Sequence, residues 1–198
     1  MGRALCLGFL ACLVVTQPAA STSVLAPTFE ELVAGAEQVF QGRVVAVRSS
    51  RVDSRAGAAI VTDVTFTIER TLKGPVYAER SLEFLGGTVG EDTLRVEGMP
   101  TFRIGDRDVL FVNDAGRPAS PIVGFMYGRF RIVRDTVSGV DTIRTHDGRP
   151  LASLADVGSA RPPAVVAPPA VVATPRGLSL EDFVNAVGSR VRSLRPRP

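Results

Sequence analysis

The stretch from Ala59 to Gly74, AIVTDVTFTIERTLKG, alternates with a period of two. Ile60, Thr62, Val64, Phe66 and Ile68 fall on one side, and Asp63, Thr65, Thr67 and Glu69 on the other. Successive side chains of a strand point to opposite faces, and β-branched and aromatic residues suit that pleated surface. The stretch therefore predicts a strand with one buried and one wet face, closed by Lys73-Gly74-Pro75, where proline cannot donate to a ladder. A sheet built around this strand is the frame into which the remaining segments must fit.

Ahead of that frame lies a leader. Arg3 precedes the apolar run Ala4 to Val15, and Pro18-Ala19-Ala20 supplies small residues, so residues 1–20 read as a signal peptide. The run is too short for a permanent bilayer anchor. Cys12 after Phe9-Leu10-Ala11 allows a second reading, an acylated lipoprotein. The only other cysteine, Cys6, also lies in the leader, so the exported chain is expected to fold without disulfides, on its core alone.

Between Ser21 and Pro150 the pattern predicts one domain. Thr28 and Glu31 have capping-box spacing and open a short helical turn with Leu32, Val33 and Ala36 inward. Val39 to Arg48 reads as a strand whose apolar parity switches near Gly42, which predicts a bulge. Further strands are expected at 81–85, 94–96, 109–112, 121–123, 129–133 and 140–144; the unbroken apolar run Val109-Leu110-Phe111-Val112 predicts burial on both faces. Residues 151–177 read as a linker, with PPAVVA repeated at 162–167 and 168–173, a polyproline-like spacer. Ser179 then caps a helix over 178–194 with an apolar stripe of Leu180, Phe183, Val184, Val187 and Val191, expected to stand apart from the domain.

Charge narrows the functional classes. Of 23 basic residues only Lys73 is lysine. The body from Ser21 to Gly158 carries 16 basic and 18 acidic side chains, so the net positive charge belongs to the leader and tail. A slightly acidic body lacking tryptophan argues against nucleic acid as partner. His146 is the single histidine and sits in a THDGR turn, where it reads as solvated. No nucleophile-elbow, phosphate-loop or dinucleotide motif is present, so no catalytic, cofactor-binding or metal residue is assigned. Asp106-Arg107-Asp108 and Glu91-Asp92 offer oxygens that a hard cation would accept, but loop carboxylates are usually solvated, and they are read so here. The informative residues are apolar ones in glycine-marked loops: Met99 and Phe102 in one, Phe125 and Tyr127 in the other. Aromatics and methionine on loops suit a protein-binding surface; the competing reading has them plugging the end of a barrel.

Glu37 to Val47 (EQVFQGRVVAV), Val64 to Arg70 with Leu72-Lys73-Gly74, and Phe102 to Gly105 ahead of Val109 to Val112 resemble an uncharacterised family of exported bacterial proteins. In the same order they resemble the netrin-like domain of tissue inhibitors of metalloproteinases. That resemblance implies a mainly β, OB-like five-stranded barrel over 21–150 and a protein partner, an extracellular protease being the class implied. Those inhibitors place an N-terminal cysteine on the protease zinc, and the expected mature chain has none, so no functional residue is carried across. The reading is thus an exported, non-catalytic binding module. Its alternatives are a hydrolase using carboxylates alone and an envelope component whose C-terminal helix, or acylated Cys12, meets a membrane.

The face assignment of the central strand has a direct test. Phe66→Ala is expected to cost about 3–5 kcal/mol, and Thr67→Ala on the opposite face under about 1 kcal/mol, both read from urea melts. Equal losses would refute the assignment.

Overall fold

The computed structural model describes residues 26–54, 57–113, 115, 120–158 and 177–194. The leader with Cys6 and Cys12 and the PPAVVA repeat lie outside the described residues. The chain is mainly β. In order it forms α1 (Phe29–Gly35), β1 (Gln38–Ser54), β2 (Gly57–Lys73), β3 (Glu79–Leu85), β4 (Gly87–Val89), β5 (Asp92–Leu94), β6 (Arg107–Val112), β7 (Arg129–Arg134), β8 (Asp141–Arg144), a 3₁₀ turn (Leu154–Asp156) and α2 (Leu180–Leu194). β4 and β5 pair as a small separate sheet. The other six strands form one antiparallel sheet in the order β3-β2-β1-β6-β7-β8.

The sheet does not close into the expected five-stranded barrel. Its end strands, β3 and β8, are not paired with each other, and β8 is instead covered by backbone from the chain's later segments. Ile143 N donates to Leu178 O at 2.9 Å and Leu151 N to Ile143 O at 3.0 Å, which uses the polar groups a closing strand would otherwise take.

Two cores lie on opposite faces of the sheet. The first packs Val109, Phe111, Phe130, Ile132 and Ile143 against both helices; the second gathers Phe40, Val44, Val64, Phe66, Leu82, Phe84, Leu110 and Val112. β6 feeds alternate residues to each, which explains its unbroken apolar run. β1 serves both through ordinary strand alternation: Val39 joins the first core, and Phe40 and Val44 join the second. Its register against β2 shifts at Val39/Phe40, Gln41/Gly42 and Val44/Ala46, and the shift at Gly42 is the bulge that the parity switch predicts. Gly42 permits the bend, because a Cβ there would stand 3.0 Å from Thr67 O and from the Phe40 ring.

Helix α1 is short, and its ends are paired by named side chains. Thr28 and Glu31 form the expected capping box. At the other end the lone lysine, Lys73, donates from Nζ to Val33 O at 2.7 Å and Ala36 O at 2.6 Å, satisfying carbonyls that a helix C-terminus leaves free.

The C-terminal helix is not separate. Phe183 is fully buried in the first core, its ring 4.8 Å from that of Phe130 and 5.9 Å from that of Phe29. Seven-residue α1 covers only part of the apolar face of β6–β8, and the stripe of α2 covers the rest. The linker assignment also needs correction at its start, since Leu151 and Val157 are buried and Ser153 caps the 3₁₀ turn. Residues 121–123 make a single bridge, Val112 to Ile122, rather than a strand.

Phe183→Ala is therefore expected to cost about 3–5 kcal/mol in urea unfolding. An unchanged midpoint would mean that the helix is dispensable to the domain.

Candidate functional site

Beyond its bulge at Val45, β1 runs on with β2 as a long hairpin, without β6 beside it. Val44 points its backbone away from β2: its N donates to Asp106 O and its O accepts from Gly105 N, both at 2.9 Å. Strand alternation, advanced one step by the bulge, turns the backbone groups of Val47, Ser49 and Arg51 the same way. Among the described residues no strand pairs with them there. Val45 and Val47 are about two-fifths exposed on this stretch, and Ile104 beside it is 71 % exposed.

This open edge borders a cleft of about 730 Å³. Val47, Val64 and Phe84 line it from the large sheet, Leu94 from β5, and Met99 and Phe102 from the following loop. Its polar groups are mostly hydroxyls already paired: Ser49 Oγ lies 2.9 Å from Thr62 Oγ1, and Thr62 donates to Gly86 O at 2.6 Å. Charged side chains in its lining are limited to Arg95 and Glu97.

The loop Gly98–Thr101 is a ridge, with a second, smaller cavity of about 310 Å³ behind it. A buried ion pair anchors the ridge. Arg129, 4 % exposed, grips the fully buried Asp108 in bidentate fashion, Nε to Oδ1 at 2.9 Å and Nη2 to Oδ2 at 3.1 Å. The same guanidinium donates to Thr101 O at 2.5 Å and to Asp106 Oδ2 at 3.1 Å, and it lies 4.0 Å over the Phe102 ring. Burial pushes the Asp108 carboxyl up from its ordinary value, with Arg129 pulling against that shift. The turn reading of Asp108 as solvated is thus corrected: it is the first inward residue of its face on β6, beneath the ridge.

The structure brings the two predicted loops together and divides their residues by role. Phe102 packs edge-on to Phe66 at 5.4 Å and tilted on Phe84 at 5.0 Å, so it completes the second core. Met99 packs on the same core while forming a wall of both cavities. Phe125 holds a left-handed backbone with φ of 69°, a strained state for a non-glycine residue. The loops meet where Gly98 lies against Met126: a Cβ on Gly98 would stand 3.0 Å from the Met126 sulfur. Tyr127 faces away from the larger cleft and meets His146 edge-on at 5.2 Å. His146 is consequently half-buried rather than the solvated turn residue expected from THDGR.

Sequence reasoning missed Val47, Arg129, Arg131 and Asp108. The alternation Arg129-Phe130-Arg131-Ile132 carried a signal, since it sets two arginines on the face opposite the first core. Comparisons with protein-family models, curated proteins and solved structures yield no match for the chain.

Burial holds His146 below its ordinary pKa, with Asp147 opposing the shift and Arg149 and Arg129 adding to it. The unfolded chain thus binds the proton more tightly, and stability falls as pH drops from the ordinary histidine value toward the folded one. Acidification from about pH 7.5 to 5.5 is expected to lower the urea midpoint, and His146→Gln to flatten that slope. An identical slope in both proteins would contradict the burial of the neutral ring.

Proposed function

We propose that the protein is an exported, non-catalytic binding module whose partner presents an extended segment to the open edge of β1. The observation that carries this reading is the unpaired edge at Val47, Ser49 and Arg51 lying alongside the 730 Å³ apolar cleft. Main-chain hydrogen bonds to a sheet edge supply affinity, and pockets for alternate side chains supply selectivity. An added strand would direct every second side chain toward Phe84, Val96 and Met99. Met99 remains a contact residue on this reading, Phe102 supports the cleft from behind, Phe125 lies against the ridge at Gly98, and Tyr127 packs on His146 away from the cleft.

The partner is a protein in the exported compartment, and an extracellular protease is the class implied by the netrin-like resemblance. The long, bulged β1 that serves both cores supports the proposed kinship to OB-type modules, opened at one seam. The alternative of a membrane-docking helix loses its surface, because Phe183, Val184 and Val187 of α2 are spent on the core.

Val47→Pro tests the proposal. It removes an outward N–H without touching the bonds between β1 and β2, so the fold should persist while strand addition fails. Capture of a partner from the producing cell's secreted fraction should fall at least about tenfold, with the melting temperature within a few degrees. Undiminished capture by a folded Val47→Pro protein would remove the β1 edge from the site.

A further inference from the structure

The smaller cavity behind the ridge is unlike the cleft in front of it. Its 310 Å³ are lined by Arg103, Arg129, Arg131 and His146, with Asp106 as the acidic side chain of the lining. Asp106 is already engaged, accepting from Arg129 Nη2 at 3.1 Å and from Arg103 N at 3.0 Å. Arg129 spends its donors on Asp108, Asp106 and Thr101 O. Arg103 and Arg131, by contrast, enter no ion pair or side-chain hydrogen bond with the described residues.

The sheet beneath adds an independent imbalance. Across β6, β7 and β8, Asp108 pairs in register with Arg131, and Arg131 with Arg144. Like charges directly opposite on a ladder are destabilising. Asp108 attracts Arg131 only through space, because both its oxygens are bound by Arg129. Arg144 finds only a carbonyl, Gly148 O at 3.0 Å. Arg103, Arg129 and Arg131 line the cavity against Asp106, with Asp108 bound beneath Arg129, an excess of one positive charge around a space open to solvent.

We infer that this cavity is a binding site for a small oxyanion, held by the guanidinium groups of Arg131 and Arg103, whose hydrogen-bond donors are unspent among the described residues. Guanidinium forks match carboxylate and phosphate oxygens in pairs, and a ligand charge here relieves the Arg131–Arg144 opposition. The space between the arginines and the walls from Met99 and Met126 has room for a phosphate or a short carboxylate. The site stands apart from the β1 edge and does not depend on a strand-adding partner.

The chain's single histidine lines the cavity and provides the readout. The full chain, at fixed pH and ionic strength, is titrated separately with inorganic phosphate, sulfate and acetate, chloride making up the balance, while the His146 ring resonance is followed. Saturable shifts with a dissociation constant below about 10 mM are expected for at least one oxyanion. Phosphate and sulfate without acetate would assign a free inorganic anion, and acetate the carboxylate of an organic acid. Arg131→Met should weaken binding at least about tenfold while leaving the melting temperature equal or higher. Arg103→Met, in the loop, is the second variant should the first fail to fold. Shifts that never saturate, or binding undiminished in a folded variant, would overturn the site.

Discussion

The bidentate grip of Arg129 on Asp108 is the constraint around which this end of the molecule is arranged. Asp108 lies on the central strand β6 with no solvent exposure, and a carboxylate there is tolerable only if paired. Arg129 supplies the pair, and its remaining donors reach Thr101 O and Asp106. A single buried guanidinium thus joins two strands of the sheet to the loop between β5 and β6. The Phe102 ring beneath the guanidinium carries the connection into the second core, through Phe66 and Phe84. The loop from Gly98 to Thr101 becomes a fixed ridge, and the two cavities on either side take their shape from it.

Those cavities differ in chemistry because the sheet differs on its two sides of the ridge. In front, Val47, Val64 and Phe84 come from the β1–β2–β3 end, where the second core thins toward the open edge. Behind, Arg129 and Arg131 come from β7, whose face opposite the first core is basic while its other face, Phe130 and Ile132, fills that core. An apolar cleft beside unpaired backbone suits an extended peptide, and a cationic cavity suits an oxyanion. The proposed functions follow from those separate facts and fail separately.

Much of the fold was legible in the residues. Period-two alternation marked β2, the apolar run marked β6 as buried on both faces, and the parity switch at Gly42 marked the bulge between β1 and β2. What escaped was long-range. The stripe of α2 was plain, but its partner, the face made by Val109, Phe111 and Phe130, is assembled from strands far apart in sequence. A proline-rich spacer suggested detachment, yet a spacer sets reach and not whether the far end docks. The site was legible only as two loops. Their meeting through Gly98 and Met126, and the division between core-filling Phe102 and cleft-lining Met99, depend on Arg129 finding Asp108, a pairing that no local pattern announces.

If the pair positions the ridge, then removing both partners should loosen the ridge more than the fold. Replacing Asp108 and Arg129 together by leucine and methionine leaves no orphaned buried charge, and such exchanges are often close to neutral in global stability. Amide hydrogen exchange across residues 98–106 in this double variant, compared with that of β6 and β7, is the most direct measurement. Exchange in the ridge is expected to accelerate at least about tenfold, with the protection of the two strands and the melting temperature little changed. Unchanged protection of the ridge would contradict the account, since it would show that the loop is held by something other than Arg129.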